Sequence, residues 1–411
     1  MAEHASHPRW TPRRAFQPLA LGAWLSACSG GASAPDSPMG VAFPNQRPSF
    51  ENQGRTLGYV SNGDSDSLSV VDLDGMVELG RVPVGLDPVG LDGPTHFAID
   101  RARSILYLAL AYPQTSSIGP HAAHEDVVRT GYIQALALSD LRPLGGLSVD
   151  PSPADVLLAD DGGELLISHY DVDLAAELSD DIEARRAKLT LIAAPSELLT
   201  GAPQVRTLTV CAAPYGVAYG NDESRAYVAC TGEDSLAVVD TLDARVSTRV
   251  PVGMPTGGVS KPYALTANRT RERLLVSNKV SRSVVLFVAS DEPQAQWTTV
   301  FDAALPAIPY GVPYFAAWLS DSELVVPLQS PDGAALLDAS TGAVTQSVGY
   351  SPEQCAAPRE ARVALDGRVF LVCTGDHFAP GAIVEVDPRT LAVTARVNVG
   401  VGPDRLLVVA P

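Results

Sequence analysis

Seven prolines punctuate this chain, each opening a short run of mostly apolar residues, with a second apolar run usually following about a dozen residues later. They are Pro94, Pro153, Pro214, Pro262, Pro313, Pro358 and Pro403, spaced by 59, 61, 48, 51, 45 and 45 residues. A recurrence of about 45 residues built from strand-like pieces marks a radial array of small sheets, because one such unit cannot bury both of its faces alone. The clearest unit runs from Pro214 to Gly253 and reads as four strands: Gly216–Tyr219, Arg225–Ala229, Ser235–Asp240 and Val246–Val252, separated by Asn-Asp, Gly-Glu-Asp and Leu-Asp-Ala turns. Four antiparallel strands of rising exposure make one blade of a propeller. The unit from Pro358 to Gly400 repeats the plan. Leu57–Ser61 reads as a second strand and Pro403–Val409 as a first, so the C-terminal strand is expected to complete the first blade. The fold class is therefore all-β, a seven-bladed propeller over residues 56–411.

Composition supports this reading and narrows the partners. The 34 Gly and 33 Pro suit many short strands joined by tight turns. Residues 1–27 read as an export signal: Arg9, Arg13 and Arg14 give a basic start and Leu19–Ala27 a short apolar core. Leu25-Ser26-Ala27-Cys28 resembles the lipobox of bacterial lipoproteins, which implies lipidation of Cys28 and an anchor in the cell envelope. Ser29 after the cysteine points to the outer membrane. Arg13-Arg14-Ala15-Phe16 also resembles a twin-arginine signal, so the general secretory and twin-arginine routes both stay open. Residues 28–55 read as a flexible tether. Without residues 1–27 the chain keeps 26 basic and 46 acidic side chains, a net charge of −20. That acidity excludes nucleic acid, whose phosphates need basic clusters. No stretch after the signal approaches the roughly 18 uninterrupted apolar residues of a spanning helix. The membrane is met through the lipid only, and a monomer is expected.

The second-strand ends Tyr59-Val60-Ser61-Asn62, Tyr227-Val228-Ala229-Cys230 and Leu275-Val276-Ser277-Asn278, with third strands such as Ser235–Asp240, resemble the YVTN-repeat family of β-propellers. The resemblance covers nearly everything after Arg55, weakly in blades 2, 3 and 6. It implies the fold and says little about activity. Cys211 and Cys355 take the glycine place of its V-G-x-x-P start, while Cys230 and Cys373 take the asparagine place of its second strand. Four cysteines allow three pairings. Because those two places lie side by side at one face of a blade, the expected disulfides are Cys211–Cys230 and Cys355–Cys373, as suits an exported protein.

The inserts fall on that same face. One, Tyr112–Gly131, follows the second strand of blade 2, and the other, Tyr170 to about Lys188, follows the second strand of blade 3 with Leu174, Leu178 and Ile182 at helical spacing. Residues just after each proline and at each second-strand end should line the funnel mouth. These candidates are His96, Asp155, Tyr215, Tyr263, Tyr314, Arg359 and Arg405 from the first group, and His169, Lys279, Gln329 and His377 from the second. The three tyrosines suit an aromatic wall for a ligand or packing between blades with bonded hydroxyls. His96, His169 and Asp155 suit a metal or acid–base site only if they converge. His121, His124, Glu125 and Asp126 lack the order of a zinc peptidase, and Asn62, Asp64 and Asp66 lack the glycine and distal glutamate of a calcium loop. A phosphate loop, a dinucleotide fingerprint and a nucleophile elbow are all missing, so no catalytic residue, metal or cofactor is assigned. The leading expectation is a non-enzymatic, lipid-anchored scaffold binding an envelope protein or small ligand through its funnel face. The alternatives are a lactonase-like hydrolase using His96, His169 and Arg359, and an accessory to a periplasmic redox enzyme.

Overall fold

The computed structural model describes residues 48–50, 52–86, 91–111, 130–177, 181–199, 203–253 and 258–411. They form seven antiparallel sheets, each built on four strands, which are the seven blades of a propeller. Every one of the seven prolines begins or lies in an innermost strand, as in Pro94–Asp100, Pro153–Leu158, Pro214–Tyr219, Pro262–Ala267, Pro358–Val363 and Pro403–Val409. Proline suits this place because the first residue of an edge strand has no ladder hydrogen bond to donate. The ring closes as expected: Pro403–Val409 pairs antiparallel with Leu57–Asn62, so Leu57 lies opposite Val409 and Ser61 opposite Arg405. Ser67–Asp72 and Val77–Pro83 complete blade 1.

The core lies between blades rather than within them. Leu189, Leu191 and Val210 of blade 3 pack with Val217 and Val228 of blade 4, and Val325 and Leu336 of blade 6 with Leu371 and Val384 of blade 7. Second and third strands are accordingly buried on both faces, whereas outer strands such as Arg245–Pro251 are largely open to solvent. Both disulfides join the residues predicted, Cys211–Cys230 with Cα atoms 5.8 Å apart and Cys355–Cys373 with Cα atoms 5.1 Å apart. Each links the segment before an inner strand to the end of the second strand of its own blade. Chain-entropy arguments for loops of this length give about 3 kcal/mol of stabilisation apiece.

Three details differ from the sequence reading. Phe50 falls in the stretch read as tether, yet it is only 4 % exposed and its N–H donates to the Ser139 carbonyl at 2.6 Å, so the folded unit reaches back at least that far. Among the described residues the helical spacing after blade 3's second strand gives a 3-10 turn, Glu183–Arg185, and only one α-helical turn, Val172–Ala175, capped by the Asp171 carboxylate on the Leu174 N–H. Acidic Glu177 and Asp181 beyond it oppose the negative end of a helix dipole, which disfavours extension. Blade 6 has a divided inner strand, Val312–Pro313 and Ala317–Ser320. In the gap Phe315 leaves its own blade: its N–H donates to the Arg359 carbonyl at 3.1 Å and its carbonyl accepts from Ala361 N–H at 2.8 Å. Cys28, the signal, the insert cluster His121, His124, Glu125 and Asp126, and Leu178 lie outside the described residues.

The polar turn at Asn62, Asp64 and Asp66 is structural. The Asp66 carboxylate accepts the Asp92 and Gly93 N–H groups at 3.1 and 2.9 Å, which pins the connection leading to Pro94. Asp234 holds the Ser260 and Lys261 N–H groups, and Asp332 the Ala357 N–H, at the same place in blades 4 and 6.

Candidate functional site: the axial channel

The inner strands share a local irregularity that builds the site. In blade 2 Pro94 lies opposite Leu110 and Phe97 opposite Leu108, leaving Thr95 and His96 to share one partner position. The same extra residue follows Pro153, Pro214, Pro262, Pro358 and Pro403. A bulge of this kind re-aims side chains. Here it brings the first and second residues after the prolines together at the axis. The first residues are Thr95, Ala154, Tyr215, Tyr263, Tyr314, Arg359 and Asp404, and the second are His96, Asp155, Gly216, Ala264, Phe315, Glu360 and Arg405.

Charged members of the two sets pair with one another. His96 is fully buried, and its Nδ1 donates to Asp155 Oδ1 at 2.7 Å. A carboxylate only accepts, so this bond places the ring proton on Nδ1. Nε2 then faces Asp404 Oδ2 at 3.5 Å without a hydrogen bond. Burial, helped by the nearby Arg405 charge, pushes the His96 pKa down to about 4 against the pull of Asp155. Burial would raise the Asp155 carboxyl, but His96, Arg405 and the Val217 N–H at 3.0 Å together hold it below the usual carboxylate range. Arg405 Nη1 meets Glu360 Oε1 at 2.9 Å, and Glu360 Oε2 accepts the Leu406 N–H at 2.7 Å. Arg359 Nε donates to Asp404 Oδ1.

Tyrosines fill the other half of the axis. Tyr215 and Tyr263 stack with ring centroids 4.1 Å apart, and Tyr170 stands edge-on to both at 4.9 and 5.7 Å. Gly216 permits this approach of blades 4 and 5, since a Cβ there would lie 2.5 Å from the Leu265 nitrogen. Arg359 Nη2 donates to the Tyr215 and Tyr263 hydroxyls at 3.1 and 2.9 Å, tying the two halves together. Lys279 lies over Tyr263 and Tyr314, with Nζ 4.1 and 4.9 Å from the ring centroids. Burial and the Arg359 charge push its pKa down to about 8. No salt-bridge partner for it occurs among the described residues.

Two openings flank this plug. On the proline face a cavity of about 370 Å³ is lined by Tyr314, Gln329, Arg359, Thr374, His377 and Asp404, among others. A smaller one of about 190 Å³ opens on the opposite face.

The sequence-predicted residues divide accordingly. His96, Asp155, Tyr215, Tyr263, Tyr314, Arg359 and Arg405 do meet at the axis. His169 does not join His96 and Asp155: its Nδ1 donates to the Pro151 carbonyl at 3.0 Å and its Nε2 accepts from the Thr190 hydroxyl at 2.8 Å, so both ring nitrogens are engaged elsewhere. His377 is exposed at the rim and pairs with Asp64 at 2.7 Å. No group of three His, Cys, Asp or Glu side chains is arranged to hold a metal among the described residues. Glu360, Asp404, Phe315 and Arg362 were missed, although the first three sit at the same offset from a proline as residues that were chosen.

The fold and channel define the class, a seven-bladed propeller with a charged and aromatic axial plug. No family model matches the sequence, and no curated protein does either. Among solved structures the chain is similar to a protein from Lactobacillus plantarum, with a TM-score of 0.63 and 12 % identity over 86 % of this chain and 99 % of that one. It is also similar to a periplasmic gluconolactonase from Pseudomonas aeruginosa, with a TM-score of 0.60 and 15 % identity over 86 % and 99 % of the two chains. A dihydro-heme d1 dehydrogenase gives a TM-score of 0.55 and 14 % identity over 90 % of this chain and 78 % of that one. At such identities the likeness concerns fold alone.

Proposed function

We propose that this chain is an exported, lipid-anchored propeller of the YVTN-repeat kind that acts as a binding module, taking an anionic ligand or partner group at the proline face. One observation carries the reading. The carboxylates and imidazole of the axis are engaged by one another, whereas Lys279, just past the second strand of blade 5, lies against two tyrosine faces beside Arg359 with no carboxylate partner among the described residues. Two like charges held close and partly desolvated favour an incoming anion, and aromatic faces give it a flat wall. Export is supported by the two disulfides, which persist in oxidising compartments. The lipid anchor rests on the lipobox resemblance at Cys28.

A hydrolase reading draws on the His96–Asp155 pair, an arrangement able to move a proton. It is the weaker reading, because His96 is fully buried and its free Nε2 faces Asp404 rather than either cavity. Calorimetric titration with citrate at low salt tests the proposal. Saturable binding that is lost in Lys279→Met and kept in Lys279→Arg is expected. Turnover of a sugar lactone that disappears in His96→Gln would replace the binding reading with the hydrolase one.

A further inference from the structure

The cavity on the face opposite the prolines plays no part in the proposed function, yet two arginines of the inner strands line it. Arg405 is 7 % exposed; its Nη1 pairs with Glu360, and its Nε has no hydrogen-bond acceptor. Arg362, from the same strand as Glu360, places Nη2 at 2.7 Å from the Glu360 Oε1 that already serves Arg405. The approach is off-line, so neither Nη2 nor Nε of Arg362 makes a hydrogen bond. The neighbouring acceptors are engaged: Glu360 Oε2 by the Leu406 N–H, Asp155 Oδ1 by His96 and the Val156 N–H, and Asp155 Oδ2 by the Val217 N–H. The Nε groups of Arg362 and Arg405 are thus buried beside one small cavity without an acceptor, and Arg362 Nη2 meets Glu360 only as an ion pair. Leaving a buried charged donor unpaired is among the costlier things a fold can do.

We propose that this cavity binds a short-chain carboxylate, its oxygens held by Arg362 and Arg405 and its alkyl end against Leu157, Leu265 and Phe315. The guanidinium fork matches the spacing of two carboxylate oxygens, which a single ammonium does not. The volume of about 190 Å³ admits a chain of a few carbons. The apolar wall distinguishes a fatty carboxylate from an inorganic oxyanion of the same charge. Burial and repulsion from Arg405 hold the Arg362 pKa down to about 10, a direction that a bound anion would reverse.

The test is calorimetric titration of the purified protein with butyrate and, at matched ionic strength, with sulfate. Butyrate is expected to saturate one site and bind more tightly than sulfate. Loss of one charge-assisted pair in Arg362→Gln should weaken butyrate about tenfold or more, while Arg362→Lys, which keeps the charge and loses the fork, should fall between. Arg362 is partly exposed, so these variants are expected to fold, and circular-dichroism melts check this. Citrate binding at the mouth should be unchanged in Arg362→Gln and butyrate binding unchanged in Lys279→Met, so the two sites succeed or fail separately. Sulfate binding as tightly as butyrate, no saturable butyrate binding, or equal affinity in Arg362→Gln would each overturn the proposal.

Discussion

One half of the propeller axis is charged and the other half is aromatic. Blades 7, 1, 2 and 3 supply Arg359, Glu360, Asp404, Arg405, His96 and Asp155, whereas blades 4, 5 and 6 supply Tyr215, Tyr263, Tyr314 and Phe315. A proline followed by a bulge serves both halves, with blade 6 the exception, so the difference lies in the side chains and in what each costs to bury. A charge enters the axis only with an opposite charge in reach, which makes its neighbours obligatory. A tyrosine needs just one partner for its hydroxyl and tolerates looser company. Arg359 is the seam, bonded to Asp404 on one side and to two phenols on the other.

If that contrast is real, the largest effect should come from removing a carboxylate of the charged half. Glu360→Ala leaves Arg405 and Arg362 facing each other in a buried site, with Asp155, 3.8 Å from Arg405 Nη2, as the remaining counter-charge. Losing one partner of a buried pair costs roughly 3–5 kcal/mol, and urea unfolding should show a loss of that size. A loss below about 1 kcal/mol would place the pair among exposed, weakly coupled ones and erase the difference between the halves.

The backbone plan was legible in the sequence because it rests on local rules. Proline at the start of an edge strand, turn residues at hairpins and apolar runs between them are properties of neighbouring residues, and the places of the seven inner strands, the closing one among them, follow from them. The axial chemistry was legible in part. His96 and Asp155 were read together because both follow a proline at the same offset. Glu360 obeys that offset and Asp404 the offset of Tyr215 and Arg359, but a carboxylate beside an arginine, as in Arg359-Glu360 and Asp404-Arg405, reads as a solvated ion pair until the bulge is seen to turn both side chains inward. His169 was misplaced for the opposite reason. Its strand end does lie at the funnel face, but the ring turns to the Pro151 carbonyl in the connection before Pro153 and to Thr190 on the neighbouring strand. Phe315 depends on a hydrogen-bond exchange between blades 6 and 7, which no local pattern records.

Acid should expose the charged half next. The ordinary imidazole pKa is about 6.5, and in the fold His96 is held at about 4. Between these values the unfolded chain carries the His96 proton and the folded one does not, so stability rises with pH across that window and is lost on acidification. The full effect is on the order of 3 kcal/mol. His169, also kept neutral by burial, adds the same sign, while the depressed Asp155 carboxyl contributes a loss only at lower pH. Chemical unfolding of wild type and His96→Gln at pH values from 4 to 7 separates them. The variant should have a shallower slope; an unchanged slope would mean that Asp155 and Asp404 outweigh burial and keep His96 charged.

The smallest effects are expected on the aromatic half, and their non-additivity tests the seam. Tyr215→Phe removes one acceptor from Arg359 Nη2 and leaves the other hydroxyl, the stack and the Asp404 pair in place, so roughly 0.5–1 kcal/mol should be lost. Tyr263→Phe should cost about the same. Only in the double variant does Nη2 lose both hydroxyls and stand buried without an acceptor, a penalty of about 1–3 kcal/mol that neither single change incurs. The double loss should therefore exceed the sum of the singles by 1 kcal/mol or more, a coupling that groups in one hydrogen-bond network can show and distant sites do not. Additivity to within about 0.3 kcal/mol would mean the hydroxyls contribute independently of Arg359, and the charged and aromatic halves would then be neighbours without a joint.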